Sequence, residues 1–224
     1  MIRNILSILG LIFLVVACQP SETEDPSTQQ AAAESPVMAS VKEENFDLRN
    51  DSVIFSSGTI ENFDQDGKSI NVFWLGEAQD TVLRFYRKYD SNQQLIGAEY
   101  YEEGDTEPSR DTVFVNAEGK KVEASLNAAN QISWKSIITT DANDNPVLKT
   151  YENGKGEYRG FDSLFFDGQD RVVKGFYENG AGKRYSIKTY EYVAADDYGN
   201  WTERKMYKDG KLQQKQVRNL TYHE

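Results

Sequence analysis

The sequence predicts an all-β protein, an antiparallel meander of repeated hairpins with about a dozen strands. Turn-forming dipeptides such as Asn153-Gly154 and Asp209-Gly210 recur with a period of about 25 residues. The stretches between turns, for example residues 82–89, are short and rich in Val, Ile, Thr, Tyr and Phe, which is typical of strands. No helical period of apolar residues is sustained over about ten positions. An open curled sheet and a barrel-like closed sheet both fit this pattern.

The first element of the chain is an apolar run that follows Arg3. Residues 5–16 are almost all Ile, Leu, Val or Phe, about 12 positions, which is short of the roughly 20 needed by a spanning helix. The run ends in Val15-Val16-Ala17-Cys18, and Cys18 is the only cysteine of the chain. This pattern resembles the signal peptide and lipobox of bacterial lipoproteins. Residues 1–17 are therefore expected to be a lipoprotein signal peptide; an ordinary signal peptide and a retained anchor helix are the alternatives.

The resemblance implies that Cys18 is the site of lipidation and the first mature residue, with a diacylglycerol thioether and usually a further acyl chain such as palmitate. Two or more acyl chains anchor a protein stably, so the membrane is the expected partner through this N-terminal lipid. Gln19 follows the cysteine instead of Asp, which favours the outer membrane, on its periplasmic face or at the cell surface. No cysteine remains for a disulfide.

The second element is a polar segment. Residues 18–45 contain no aromatic residue and are rich in Ser, Thr, Gln, Ala, Glu and Pro, so they are predicted to be a disordered acidic tether, with a β domain over residues 46–224. The acidic residues Glu22, Glu24, Asp25 and Glu34 resemble the surface-export signal of Bacteroidetes lipoproteins, and a solvated spacer is the alternative. The whole chain has 25 basic and 36 acidic residues, a net charge of −11, which disfavours nucleic acid as a partner.

The third element is the repeat. Four units contain Asp, then Ser or Thr, then an aliphatic residue, and each is followed by a first turn. A second turn comes about ten residues later at Glu103-Gly104, Asn153-Gly154, Asn179-Gly180 and Asp209-Gly210. The last strand, about residues 211–222, is predicted to be a sheet edge that Lys211, Lys215 and Arg218 protect from further pairing. The tetrads Tyr151-Glu152-Asn153-Gly154 and Tyr177-Glu178-Asn179-Gly180 resemble YD (RHS-type) repeats and the MORN-like repeats of antitoxin-type proteins. This resemblance implies a curled antiparallel sheet and no catalytic residue.

The sequence predicts that the protein is not an enzyme and has no cofactor or metal. His223 is the only histidine, and no nucleophile elbow or phosphate-binding glycine loop is found. Paired carboxylates could serve glycoside hydrolysis, but most acidic residues fall in predicted turns. Asp141 to Asn145 partly matches the spacing of a calcium loop, but Pro146 and the flanking strand patterns favour a hairpin turn.

The preferred function is a non-enzymatic binding module of the cell envelope with a protein or glycan partner. Trp74, Trp134 and Trp201 are the candidate aromatic binding face, with core packing as the alternative. Ser52, Thr81, Thr112 and Ser163, in the four Asp-Ser/Thr triplets, resemble O-glycosylation acceptors of Bacteroidetes; the alternative is that each triplet marks the start of a strand. An immunity or antitoxin-like protein and a purely structural envelope protein are the other two hypotheses for function.

Overall fold

The computed structural model describes residues 36–49, 52–116 and 118–224, and these form antiparallel strands. The first seven strands are β1 (Met38–Arg49), β2 (Ser52–Phe63), β3 (Ser69–Leu75), β4 (Thr81–Tyr89), β5 (Leu95–Glu102), β6 (Ser109–Val115) and β7 (Lys121–Leu126). The next seven are β8 (Ile132–Thr140), β9 (Pro146–Asn153), β10 (Tyr158–Phe166), β11 (Val172–Asn179), β12 (Arg184–Ala195), β13 (Trp201–Lys208) and β14 (Lys211–Tyr222).

Each strand pairs with the next along the chain, and β1 pairs with β14, so the sheet is a closed barrel. The predicted all-β antiparallel meander is confirmed, and closure decides between the two forms that the sequence allowed. In the described part of the chain, no helix has the length and hydrophobicity to cross a bilayer.

The strand that closes the barrel begins inside the segment predicted to be a tether. β1 starts at Met38 rather than after residue 45, and Val41 pairs with both Leu220 of β14 and Glu61 of β2. The predicted boundary was therefore too late. A polar stretch such as Lys42-Glu43-Glu44-Asn45 shows little of the apolar alternation by which a strand is recognised, because both faces of this strand are polar.

The prediction that β14 is an edge strand was also wrong, because the barrel closes through this strand. The strand has the predicted bounds, but β1 covers it on one side and β13 on the other. Arg218 does not shield an edge; its Nε donates to Glu43 Oε2 of β1 at 2.9 Å.

The turns alternate between the two ends of the barrel. We call the end at which β1 begins and β14 finishes the near end, and the opposite one the far end. In nine described turns, an Asp or Asn Oδ1 accepts the backbone N–H groups two and four residues later, which replaces lost ladder bonds. These residues are Asp64, Asp90, Asn116, Asn127, Asp141, Asn153, Asp167, Asn179 and Asp196.

The barrel is too wide to hold a conventional core. About eight strands give an interior that side chains can fill, and 16 to 18 leave an aqueous channel; this barrel has 14. The side chains buried in the wall are accordingly few and mostly small or of medium size, and no large described side chain is completely buried. Much of the inward-facing surface is therefore not covered by the packing of other side chains.

Candidate functional site

Contacts that skip a strand identify the inward face of the barrel. Side chains converge on the concave side of a curved sheet, so only there can residues two strands apart meet. Lys149 of β9 donates to Glu123 of β7 at 2.9 Å, and Arg87 of β4 reaches Glu61 of β2 at 3.4 Å. Strand alternation then assigns every other residue to the lumen, with a change of phase at β-bulges such as those in the β11–β12 and β12–β13 ladders.

The opposite, outward face carries charged pairs around much of the barrel. Each joins residues of one strand or of adjacent strands, as expected on a convex surface. These pairs are Lys42–Glu44, Lys88–Glu99, Arg110–Glu99, Lys135–Glu152, Arg184–Glu178, Lys205–Glu191 and Lys215–Glu203. Their lysine and arginine side chains are 27 to 54% exposed, so these charged groups are accessible to water.

One wall of the lumen, from β7 to β11, gathers polar groups that we call the lumen site: Glu123, Lys149, Tyr151, Asp162 and Tyr177. Glu123 binds Lys149 on one oxygen and lies 3.4 Å from Lys121 Nζ on the other. The Tyr151 hydroxyl donates to Asp162 Oδ2, and the Tyr177 hydroxyl donates to the carbonyl of Arg159 at 3.0 Å. The site therefore holds donors and acceptors whose charges are largely paired.

Ionisation in the lumen site follows these contacts. Burial opposes the charge on Glu123, but the hydrogen bond and charge of Lys149 prevail and lower the pKa of this carboxyl. Burial and the hydrogen bond to Asp162 raise the pKa of Tyr151 above its usual value of 10.0. The site is therefore a Glu–Lys ion pair beside a neutral phenol at neutral pH.

A carboxylate next to the lumen site lacks a full set of partners. Asp111 lies on the inward face of β6, opposite Ser125, and its Oδ1 is shielded from solvent without a hydrogen-bond partner among the described residues. Burial raises the pKa of Asp111, while Ser125 and Lys149 act against that rise. A buried acceptor left unsatisfied costs free energy, so this group destabilises the barrel when it is ionised.

Four aromatic rings form a ladder along the same wall toward the far end. The ring centroids of Trp134 and Tyr151 are 5.9 Å apart, those of Tyr151 and Tyr177 6.3 Å, and those of Tyr177 and Tyr185 6.3 Å. Trp134 and Tyr185 are each 38% exposed. We call these four residues the aromatic ladder.

Two cavities follow the wall below the ladder. The larger has a volume of about 830 Å³ and is lined by Lys121, Glu123, Lys149 and Asp162 among others. The smaller, about 380 Å³, shares Asp162 with it and extends to Lys188 on β12. The larger volume lies within the roughly 300–1,000 Å³ of small-molecule sites.

The opposite wall is closed by a packed cluster that we call the closing cluster: Glu43, Trp201, Arg204, Gln216 and Arg218. Arg218 and Arg204 lie over the Trp201 ring at 3.7 and 4.2 Å from its centroid. Arg218 binds Glu43 at 2.9 Å, and Arg204 Nε donates to Gln216 at 2.6 Å. Burial lowers the pKa of Arg218, and Glu43 opposes that shift. These groups satisfy one another, so the cluster stabilises the barrel.

The structure does not bring the three tryptophans together. They lie on β3, β8 and β13, four or five strands apart around the closed barrel, all toward the lumen. Trp74 and Trp134, at the far end, are 52 and 38% exposed. Trp201, at the near end, is 8% exposed and belongs to the closing cluster. Of the three, only Trp134 belongs to the aromatic ladder.

The Asp-Ser/Thr triplets occupy two kinds of position. Ser52 and Thr81 are the exposed first residues of β2 and β4. Thr112 and Ser163 are within β6 and β10 on the outward face, so these two triplets do not mark strand starts. The predicted lipid site, Cys18, and the signal and tether residues before 36 lie outside the described residues.

Sequence reasoning missed Glu123, Lys149, Tyr151 and Asp162 as a group. The signal that could have found them is alternation: Lys149 and Tyr151 are two residues apart in a strand and so share a face. Which strands lie beside β9 follows from the meander, but which face is concave does not. Within the described part of the chain, no group of three His, Cys, Asp or Glu side chains is placed to hold a metal ion.

Fold and site together define a closed 14-stranded up-and-down barrel with a polar, aromatic lumen and an exterior that carries charged pairs beside exposed aromatic groups such as Phe114 and Phe165. No family model matches the chain, and no curated protein matches the chain either. The resemblance to YD or MORN-like repeats therefore stays a prediction.

Among solved structures, a porin-like protein from Bacteroides uniformis is similar to this chain with a TM-score of 0.50 and 10% identity, over 83% of this chain and 98% of that one. A DUF1329 family protein from Desulfovibrio piger has a TM-score of 0.38 and 11% identity, over 84% of this chain and 87% of that one. At such identity the first likeness shows the fold alone.

Asp111 gives a prediction on pH. Its raised pKa means that the folded state favours the protonated acid, so stability present below the usual pKa of 3.8 is lost as pH rises. Asp111→Asn is expected to be more stable than the native protein at pH 7, and the difference should shrink below about pH 4. Urea unfolding at a series of pH values measures this, with the exposed Asp197→Asn as control. A difference that does not change with pH would contradict it.

Proposed function

We propose that this protein is a lipoprotein of the bacterial outer membrane, anchored through lipid at Cys18, whose barrel stands outside the bilayer and acts as a non-enzymatic binding module. The lumen is the binding surface. The N-terminal pattern that resembles a lipobox supports the anchor, and the distribution of charge over the two faces of the barrel supports its placement.

The outward ion pairs are the observation that carries this proposal. A barrel that crosses a membrane presents an apolar band about 25 Å tall, and a lysine or arginine at mid-bilayer costs about 2–4 kcal/mol. Here Lys42, Glu44, Glu203 and Lys215 lie near the middle of their strands on the outward face. Such a surface favours water, and the membrane contact is then left to the lipid.

The lumen supports the binding role. Some of its apolar side chains are not packed against other residues: the inward-facing Trp74 and Val115 remain 52 and 68% exposed. A pocket that combines apolar walls with a few convergent polar groups is the usual form of a ligand site. The partner is a glycan or a protein on either face of the outer membrane.

Cys18→Ser tests the proposal. The native protein is expected in the membrane fraction. The variant is expected in the soluble fraction, as a barrel that is folded without detergent, once its signal segment has been removed at another site. Cell fractionation, mass of the N-terminal peptide and circular dichroism measure this, and Ser21→Ala is the matched control. A Cys18→Ser protein that has lost its signal segment and still needs detergent for extraction would show that the barrel itself inserts, and the proposal would fail.

A further inference from the structure

The aromatic ladder is placed for stacking with a ligand. Trp134, Tyr151, Tyr177 and Tyr185 lie on adjacent or alternate strands of one concave wall, and the two end members keep 38% of their surface exposed. Large aromatic groups release free energy when their faces are covered. A pyranose ring presents an apolar face of C–H groups of matching size, with hydroxyl groups around its rim.

The charges beside the ladder favour an uncharged ligand. Three carboxylates, Asp111, Glu123 and Asp162, share this wall with three lysines, Lys121, Lys149 and Lys188. The wall therefore has little net charge to select an anion or a cation. It does hold both acceptors and donors, such as the carboxylate of Asp162 and the ammonium group of Lys188, and a hydroxyl group both donates and accepts.

The shape of the wall favours a chain over a single ring. The two cavities adjoin at Asp162 and Leu164 and extend from β6 to β12. Glycines keep this path open: a Cβ on Gly175 would lie 2.9 Å from Leu164 Cδ2, and Gly160 has a positive φ of 140° beside the Tyr177 hydroxyl. A side chain at either position would reduce the space next to Tyr177.

We propose that this lumen wall binds a neutral oligosaccharide of several sugar units, with sugar faces on the aromatic ladder and hydroxyl groups on the lumen site. This inference rests on the proposed function, because it takes the lumen as the binding surface. It adds the chemical class of the ligand and the residues that recognise it.

The test uses the full-length protein in a zwitterionic detergent that contains no sugar. A panel of neutral hexasaccharides (α- and β-linked glucose, xylose, mannose, galactose and N-acetylglucosamine) and matched uronic acid and sulfated oligomers is screened by titration calorimetry. At least one neutral hexasaccharide is expected to bind with a Kd below about 1 mM, and the monosaccharide to bind at least about tenfold more weakly.

Variants place the binding in the lumen. Trp134→Ala and Tyr177→Ala are each expected to weaken binding about tenfold or more. If the alanine variants fail to fold, Trp134→Phe and Tyr177→Leu replace them and are expected to weaken binding to a smaller extent. Tyr86→Ala and Tyr207→Ala are matched outward-facing controls and should bind like the native protein. Equal losses in inward and outward variants would overturn the inference, as would binding to charged oligomers alone or to none of the panel.

The sugar titrations and the Cys18→Ser fractionation distinguish a wrong ligand class from a wrong proposed function. If no neutral oligosaccharide binds but Cys18→Ser still releases a folded soluble barrel, the anchored barrel stands and the oligosaccharide inference is wrong. If a Cys18→Ser barrel that has lost its signal segment remains in the membrane, the placement itself is wrong, whatever the sugar panel shows.

Discussion

A chain that begins at residue 52 is expected not to fold as a monomeric barrel, whereas one that begins at residue 35 is expected to unfold at the same urea concentration as the full-length protein. The first chain lacks β1, which pairs with β14 on one side and β2 on the other. Its loss exposes two unpaired strand edges, which favour aggregation, and removes Glu43 from the closing cluster. Because domains are stable by only about 5–15 kcal/mol, the loss of two ladders exceeds what the fold tolerates.

The measurement is urea unfolding followed by tryptophan fluorescence, with size-exclusion chromatography to report the oligomeric state. Trp201 is 8% exposed in the closed barrel, so its emission reports whether the wall near β1 has formed. A chain that begins at residue 46, the boundary expected from composition, provides the intermediate case, since it keeps only the last part of β1. A monomer lacking residues 1–51 with native near-ultraviolet dichroism would contradict the role of β1 as the closing strand.

Arg218→Met is expected to lower the free energy of unfolding by about 2 kcal/mol, between the values for an exposed and a buried ion pair, because the Arg218 side chain is 31% exposed and that of Glu43 is 16% exposed. The substitution keeps much of the side-chain volume but removes the hydrogen bond to Glu43 and the cation over Trp201. Glu43 is 16% exposed and its next cation, Arg204, is 3.9 Å away. The carboxylate is thus left in the wall with incomplete compensation.

The matched control is Lys215→Met, in the same strand as Arg218. It breaks the outward pair that Lys215 forms with Glu203 of β13 at 2.8 Å. An exposed pair of this kind contributes up to about 1 kcal/mol, so the control should lose much less than Arg218→Met. Adding Glu43→Gln to Arg218→Met should restore part of the loss, because the uncompensated charge disappears. Equal losses in the inward and outward variants would show that the closing cluster contributes no more than a surface pair.

The turns could be predicted from the sequence because their cause is local. Asp and Asn accept hydrogen bonds from the backbone two and four residues later, and residues such as Gly67 and Gly199 adopt positive φ at little cost. These preferences act within five residues and need no tertiary contact. The two turn series accordingly appeared at the predicted positions, at opposite ends of the barrel.

The site could not be predicted in the same way because its residues meet through curvature. Glu123 and Lys149 are 26 residues apart and lie on strands that are not neighbours. They meet only because the sheet bends toward the face on which they lie. In a conventional core, apolar residues mark the inward face; here Asp111, Glu123 and Asp162 are inward, so polarity did not distinguish the two faces.

The sequence by itself determined that this chain forms an antiparallel meander with turns at known places, since backbone and side-chain preferences within each hairpin are enough for that. Its N-terminal pattern also carries the prediction of a lipid anchor at Cys18. Only the tertiary structure decided that the meander closes, that β1 begins at Met38, and that the charged pairs face outward while the aromatic ladder faces the lumen. Closure is a long-range pairing between the two ends of the chain, and the choice of concave face depends on all the strands together.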